Sequence, residues 1–148
     1  MSQPEYLYVE KPALDQLQNN GWSYKDGREL GPDTSDIRSS FQDIILSRNL
    51  EQSIKRINPW ISEENLRKIV RDITLIQNST LMEANQWFWE RLTQYFSVDQ
   101  DLGKGRRGQT VKLIDFDNIQ NNEFLCVNQF KIQGAIQNII PDIILFVN

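Results

Sequence analysis

The chain has 148 residues, 39% of them hydrophobic and 24% charged, which is the size and composition of one globular domain. It contains no histidine, which excludes Ser-His and Cys-His nucleophilic sites and most zinc sites, so any chemistry must come from carboxylates, lysines, backbone groups or an oxygen-bound hard metal. The net charge of −4 argues against a broad cationic coat for nucleic acid, although it permits a local basic groove.

The cysteine content and the hydropathy pattern indicate the compartment. The single cysteine, Cys126, excludes an intrachain disulfide and suits a reducing environment. The sequence shows neither a signal peptide nor an apolar run of membrane-spanning length. We therefore expect a cytoplasmic protein with no membrane partner.

The N-terminal part predicts a helix followed by a short strand. Residues 5–20 carry apolar side chains at helical spacing, and Pro12 within them indicates either a later helix start or a kink. Residues 22–24 predict a short strand. Residues 26–35 are rich in Gly, Pro and Asp and predict a loop.

Residues 38–98 predict helices throughout, as a helical insertion within a single domain that spans residues 1–148. The predicted helices are 41–57, one that is N-capped by Ser62, and 80–96. The aromatic residues 87–89 have two interpretations. They either hold the third helix onto the core or form a platform on which nucleic-acid bases stack.

A glycine-rich basic segment follows at residues 99–109. Lys104, Arg106 and Arg107 could pair with phosphates there, because glycines allow the backbone to approach closely. The alternative interpretation is a solvated connector. The sequence leaves both open.

The C-terminal third predicts a β-meander with strands at 110–116, 124–132 and 139–147, and with Cys126 buried as a small hydrophobic residue. Asp115 and Asp117 share one face of the first predicted strand. Two carboxylates on one face could bind a metal, but at a strand end before an Asn-rich turn they are more often solvated.

Pro141-Asp142 heads an apolar, β-branched run that predicts a buried strand. Asp142 would then lie at the rim of a sheet, where a charge is unfavourable unless a partner such as a divalent cation neutralises it. Together with a glutamate on the N-terminal helix, this pattern suggests a metal-dependent nuclease of the PD-(D/E)xK type. Two carboxylates would hold Mg²⁺, which activates water and neutralises charge on the scissile phosphate.

More of the chain supports this class. The sequence resembles the N-terminal nuclease domain of the restriction (R) subunit of type I restriction enzymes. The segments that carry the resemblance are Glu10-Lys-Pro-Ala-Leu-Asp-Gln-Leu17 with Gly21-Trp22, Ile57-Asn-Pro59, Leu113-Ile-Asp-Phe-Asp-Asn118 with Asn122-Glu-Phe-Leu125, Asn128-Gln-Phe130, and Pro141-Asp-Ile-Ile-Leu-Phe-Val-Asn148. They occur in order along nearly the whole chain.

The resemblance implies a mixed α+β fold, with a restriction-endonuclease-like central sheet, flanking helices and the helical insertion. It implies that Asp142 is the first metal-binding carboxylate and Glu10 the helix glutamate, with Glu5 as the runner-up. It also implies that Gln129 faces the site. Ile140 stands where the family often has an arginine, which would remove a contact to the DNA backbone.

In this family a Glu-x-Lys strand and two ATP-binding translocase domains follow the Pro-Asp strand. The resemblance therefore implies Mg²⁺ as cofactor, ATP bound outside these residues, and double-stranded DNA and the methyltransferase and specificity subunits as partners. Because the motif glutamate and lysine do not follow Asp142 here, we expect this chain alone not to cleave DNA.

The predicted strand 143–147 lacks that neighbour, so we also expect an exposed apolar edge, with either self-association through it or a poorly ordered C-terminus. The alternative function is a non-catalytic module that binds DNA or docks on the other subunits. A helical scaffold with no nucleic-acid role is a third possibility.

Overall fold

The computed structural model describes residues 3–76 and 80–148, which form a mixed α/β fold. Its α-helices are α1 Gln3–Glu5, α2 Lys11–Asn19, α3 Ser47–Ile57, α4 Glu63–Thr74 and α5 Leu81–Gln94. Its strands are β1 Ser23–Asp26, β2 Phe96–Asp101, β3 Arg106–Val111, β4 Phe124–Asn128, β5 Ile132–Gln133, β6 Asn138–Ile139 and β7 Ile143–Val147. Across the described ranges, no helix combines the length and apolar character needed to cross a membrane.

The chain divides into two compact units. The sheet unit comprises the described residues up to Leu46 together with Glu123–Val147, and the hairpin unit comprises the described part of Ser47–Asn122 together with Asn148. The sheet unit contains β1, β4, β7 and the first helices, whereas the hairpin unit contains α3, α4, α5 and the β2–β3 hairpin.

The first helix of the sheet unit is continuous but changes its hydrogen-bond pattern before Pro12. A π-helical turn, Tyr6–Glu10, joins α1 to α2, and the Lys11 N–H donates to the Tyr6 carbonyl, five residues earlier. Proline has no N–H and its ring clashes with the preceding turn of an α-helix, so the wider turn accommodates it. The helix predicted at 5–20 is thus confirmed, and Pro12 alters it without starting a new one.

The central sheet has the order β1-β4-β7. β1 runs parallel to β4, and β7 runs antiparallel to β4, with Asn128 opposite Ile143 at one end of the ladder. Four consecutive residues of β4 are buried, including Cys126, as its apolar sequence predicts for a central strand. The core of this unit consists of Leu30, Leu46, Leu125, Val127 and Phe130.

The predicted β-meander is wrong in its first strand. Residues 110–116 do not join the central sheet, because β3 ends at Val111 and pairs with β2 instead. The short strand expected at 22–24 is confirmed as β1, which is the neighbour of β4 in place of the expected strand.

The helix predicted at 41–57 begins only at Ser47. The reason is the buried Arg38, which donates to the carbonyls of Phe41, Asp43 and Lys131 and lies 4.0 Å over the Phe130 ring. Burial lowers the pKa of Arg38 from its ordinary value. Two of those carbonyls, of Phe41 and Asp43, belong to the segment before Ser47 and accept from Arg38 in place of helical N–H groups.

The hairpin unit confirms the helix starts that depend on local caps. The Ser62 hydroxyl accepts from the Asn65 N–H at 3.3 Å, at the start of α4. Thr80 and Glu83 form a reciprocal capping box at the start of α5. The helical prediction fails beyond Gln94, because residues 96–98 belong to β2.

The glycine-rich basic segment, for which a solvated connector was one of two interpretations, forms part of a β-hairpin. Phe96 and Val98 alternate with exposed residues along β2, which is the burial pattern of a strand. Gly103 and Gly105 have φ of 92° and 84°, the left-handed conformation that glycine adopts without strain. The chain turns at these two glycines and continues as β3. The antiparallel ladder runs from Asp101 opposite Arg106 to Phe96 opposite Val111.

Candidate active site

Glu10 is the most unusual side chain of the sheet unit. It is the last residue of the π-helical turn and is only 2% exposed. Neither of its carboxylate oxygens has a hydrogen-bond partner among the described residues. Buried charges in proteins are normally paired, hydrogen-bonded or bound to metal, because an uncompensated one is strongly destabilising. Glu10 therefore has the burial and the free oxygens of a cation ligand.

Glu5, the second candidate for the helix glutamate, lies in α1 and is exposed. The two candidates thus differ in their surroundings, and only Glu10 is enclosed. π-Helical turns occur frequently at functional sites, which agrees with the position of Glu10.

Asp142 lies in a bend between β6 and β7 and is exposed, with the half-buried Pro141 before it. The residue after it, Ile143, pairs with Asn128 at the end of the β4–β7 ladder. Continued by one residue, this register would set Asp142 opposite Gln129. Asp142 and Glu10 both belong to the sheet unit.

Specific contacts hold the end of β4 in place. Asn128 is buried and accepts a hydrogen bond from the Tyr24 hydroxyl at 2.9 Å, and burial raises the pKa of that phenol. Gln129 follows in the left-handed conformation with φ of 55°. A Cβ on Gly27 would lie 2.6 Å from the Asn128 carbonyl oxygen, so only glycine permits this approach. The Asn128-Gln-Phe130 segment of the family resemblance therefore shapes the end of the sheet beside Asp142.

The metal interpretation of Asp115 and Asp117 is not supported. Asp115 Oδ1 accepts from the N–H groups of Asp117 and Asn118, and Oδ2 accepts from the Asn121 amide. These hydrogen bonds, that from Asn118 above all, hold the pKa of the Asp115 carboxyl below its ordinary value. Asp117 is exposed and pairs with Lys112. Asp115 thus organises a turn in the hairpin unit.

The structure places Lys104 in the turn of the hairpin, and Arg106 and Arg107 at the start of β3, all three exposed. Trp87 packs edge-on against Phe96 with centroids 5.9 Å apart, whereas Trp89 is 66% exposed. Packing therefore accounts for Trp87, and base stacking by the aromatic residues stays a prediction. Within the described part of the chain, no three Cys, Asp or Glu side chains are placed to hold a metal ion together.

Comparison with known proteins defines the class to which this fold and these residues belong. Residues 2–148 match the sequence family described as "Type I restriction enzyme R protein N terminus". The match extends over nearly the whole chain, so the chain belongs to this family.

The relatives agree with this assignment. The chain is 37% identical over 147 residues to the "Putative type I restriction enzyme MjaIXP endonuclease subunit" of Methanocaldococcus jannaschii, covering 97% of this chain and 14% of the relative. It is 29% identical over 142 residues to the "Type I restriction enzyme HindI endonuclease subunit" of Haemophilus influenzae, covering 95% and 14%. The chain therefore spans about one seventh of the length of these relatives.

Proposed function

We propose that Glu10 and Asp142 of this chain contribute to a Mg²⁺-dependent nuclease site of the PD-(D/E)xK type. Within a type I restriction enzyme R subunit, this site would cleave double-stranded DNA. The observation that carries the proposal is the enclosed Glu10 carboxylate, whose oxygens have no partner in the described structure. Membership of the R protein family and the names of the relatives support the same activity.

The donor set fits a hard cation. Mg²⁺ prefers oxygen ligands and is commonly held in phosphoryl-transfer sites by one or two carboxylates, with water and substrate oxygens completing the shell. When bound, it lowers the pKa of a coordinated water and neutralises charge on the phosphate oxygens. Glu10 would supply an oxygen from a buried, low-dielectric position, and Asp142 would supply one from the exposed rim of the sheet.

The two carboxylates alone form an incomplete site. Residues 143–148 contain no glutamate or lysine that could complete the Glu-x-Lys part of the motif. With so few protein ligands, Mg²⁺ stays largely hydrated and is bound weakly. We therefore propose that these residues by themselves do not cleave DNA, and that translocation driven by ATP depends on residues outside them.

The methyltransferase and specificity subunits are proposed partners, and so is a second copy of this chain. β7 is an edge strand of the described sheet, with Leu145 49% and Val147 40% exposed. An edge with exposed apolar residues favours pairing with another chain. Sedimentation velocity of the Leu145→Lys variant against the wild type tests self-association, which should weaken in the variant. The same edge favours the alternative function, a non-catalytic docking module.

The test of the nuclease proposal uses an R subunit that contains this region, assembled with its partner subunits. Glu10→Gln and Asp142→Asn should each lower DNA cleavage by about 100-fold or more, while ATP hydrolysis continues. Glu5→Gln is the matched control, since the residue is exposed, and it should cleave normally. Full cleavage by either of the first two variants would refute the site.

A further inference from the structure

The polar face of α4 in the hairpin unit borders two adjoining open grooves, of about 690 Å³ and 620 Å³. Both grooves are lined by Lys68 and Arg71 of α4 and by Ser97 and Val98 of β2. We call their combined surface the α4 groove. The buried residues of α4 are Leu66, Ile69, Val70 and Ile73, and of these Ile69 also lines the larger groove.

The α4 groove concentrates positive charge in a chain whose net charge is −4. Its lining includes the cations Arg67, Lys68, Arg71, Arg91 and Arg106, and the carboxylates Glu64, Asp72 and Asp99. Within the described residues, neither Lys68 nor Arg106 is paired with a carboxylate. The Arg71–Asp72 pair is 3.9 Å long and exposed, so it neutralises Arg71 only weakly.

The walls of the α4 groove are fixed to each other before any ligand binds. Gln100 of β2 accepts hydrogen bonds from the Ser62 N–H at 2.9 Å and from the Asn65 amide at 3.0 Å, and it donates to the Trp60 carbonyl. These contacts tie the hairpin to the start of α4. The two elements that carry the cations are therefore held in place before binding, which reduces the entropy lost on binding.

The strand geometry separates two neighbouring arginines of β3. Successive side chains of a strand point to opposite faces, and of this pair Arg106 lines the groove while Arg107 does not. The structure therefore separates two arginines that the sequence groups as one basic segment. Arg106 belongs with the cations of α4, and Arg107 does not.

We propose that the α4 groove binds the phosphodiester backbone of duplex DNA through Lys68, Arg71 and Arg106. Arg67 and Arg71 are one helical turn apart, which places cations about 5–6 Å apart along the groove and suits the repeated charges of a polyanion. The Ser97 hydroxyl in the lining is a further donor of the type that contacts phosphates. Such contacts hold the duplex without reading its sequence.

The α4 groove and the proposed nuclease site would both bind double-stranded DNA. The two depend on different residues, and the groove needs no metal. Glu10 and Asp142 lie in the sheet unit, whereas every residue of the α4 groove lies in the hairpin unit. Binding measured in EDTA therefore tests the groove alone. Loss of cleavage in the Glu10 or Asp142 variants tests the nuclease site alone.

The experiment measures fluorescence anisotropy of a labelled 30-base-pair duplex of arbitrary sequence, titrated with this chain in EDTA at several salt concentrations. Lys68→Glu combined with Arg71→Glu should weaken binding by roughly tenfold or more and reduce the salt slope by about 2. The charge-matched control combines Lys104→Glu with Arg107→Glu and should retain most of the affinity. Circular dichroism melts verify that both double variants fold.

A single-residue comparison sharpens the test. Arg106→Glu should weaken binding several-fold, whereas Arg107→Glu, one residue along the same strand, should have little effect. The neutral pair Lys68→Gln with Arg71→Gln serves if the reversed charges disturb folding. The proposal is overturned by equal losses in the groove and control variants, by salt-independent binding, by strong sequence preference, or by groove variants that bind like the wild type.

Discussion

Two regions of the sheet unit bury a charged side chain to the same depth, yet their surroundings are opposite. Arg38 and Glu10 are both 2% exposed. Arg38 donates to three carbonyls and lies over an aromatic ring, whereas both oxygens of Glu10 lack a hydrogen-bond partner among the described residues. A buried charge with complete hydrogen bonds holds its loop together, while an uncompensated one destabilises the fold.

This difference helps to distinguish a buried ionisable side chain that stabilises the fold from one that binds a ligand. Arg38 acts within the protein, since its contacts fix residues that would otherwise leave buried carbonyls unpaired. Glu10 is buried with no hydrogen-bond partner among the described residues, which is the pattern expected of a side chain that binds an external ligand. Asp115 in the hairpin unit follows the Arg38 pattern, because its oxygens are occupied by its own turn.

The largest expected effect comes from removing Arg38. Arg38→Met should lower the free energy of unfolding by about 3–5 kcal/mol, because three carbonyls each lose a hydrogen bond and the buried contact to Phe130 changes. Urea denaturation measures the loss. Arg28→Met is the control, since Arg28 is exposed and pairs with Asp26 at the surface, and it should cost less than about 1 kcal/mol. Equal losses in the two variants would contradict a structural role for Arg38.

Replacing the carboxyl group of Glu10 should change the free energy of unfolding in the opposite direction. Glu10→Met should raise the free energy of unfolding in EDTA by about 2 kcal/mol, because it replaces a buried polar group that lacks hydrogen-bond partners among the described residues with an apolar side chain. Added Mg²⁺ should raise the melting temperature of the wild type but not that of the variant, since a ligand stabilises only the state that binds it. Glu5→Met serves as the exposed control. A Glu10→Met variant less stable than wild type in EDTA would show that Glu10 is structural.

The smallest expected effect is the contribution of Asp115 to the pH dependence of stability. Its folded-state pKa lies below the ordinary value of 3.8, mainly because of the hydrogen bond from the Asn118 N–H. Its contribution to stability is therefore complete above the ordinary pKa and is lost as the pH falls through the folded-state pKa. Thermal melts below about pH 4 should decline less steeply in Asp115→Asn than in the wild type. Asp117→Asn, at an exposed position paired with Lys112, should leave the profile nearly unchanged.

Local patterns predicted the starts of α4 and α5 correctly. Ser62 and Thr80 were identifiable because a cap contacts groups within three residues of itself. The predicted helix over residues 41–46 failed because its carbonyls are bound by Arg38, which also binds Lys131 far along the chain. β2 was missed because its burial pattern arises from pairing with β3.

The resemblance proposed residues for the candidate site but not their surroundings. It named Asp142 and Glu10, with Glu5 as the second choice, and the burial of Glu10 could not be read from the sequence. The cations of α4 went unnoticed because Arg67, Lys68 and Arg71 form an ordinary polar helix face in the sequence. Packing of the hairpin beside that face turns it into a groove.

The sequence by itself determined the starts of α4 and α5, the central apolar strand β4 and the family of the chain, because these depend on neighbouring residues and on the order of the segments that carry the resemblance. The tertiary structure decided that Glu10 is enclosed and Glu5 exposed, and that Arg106 joins the α4 groove while Arg107 does not. Burial and groove formation bring together residues that are distant in the chain, and no local pattern encodes those contacts.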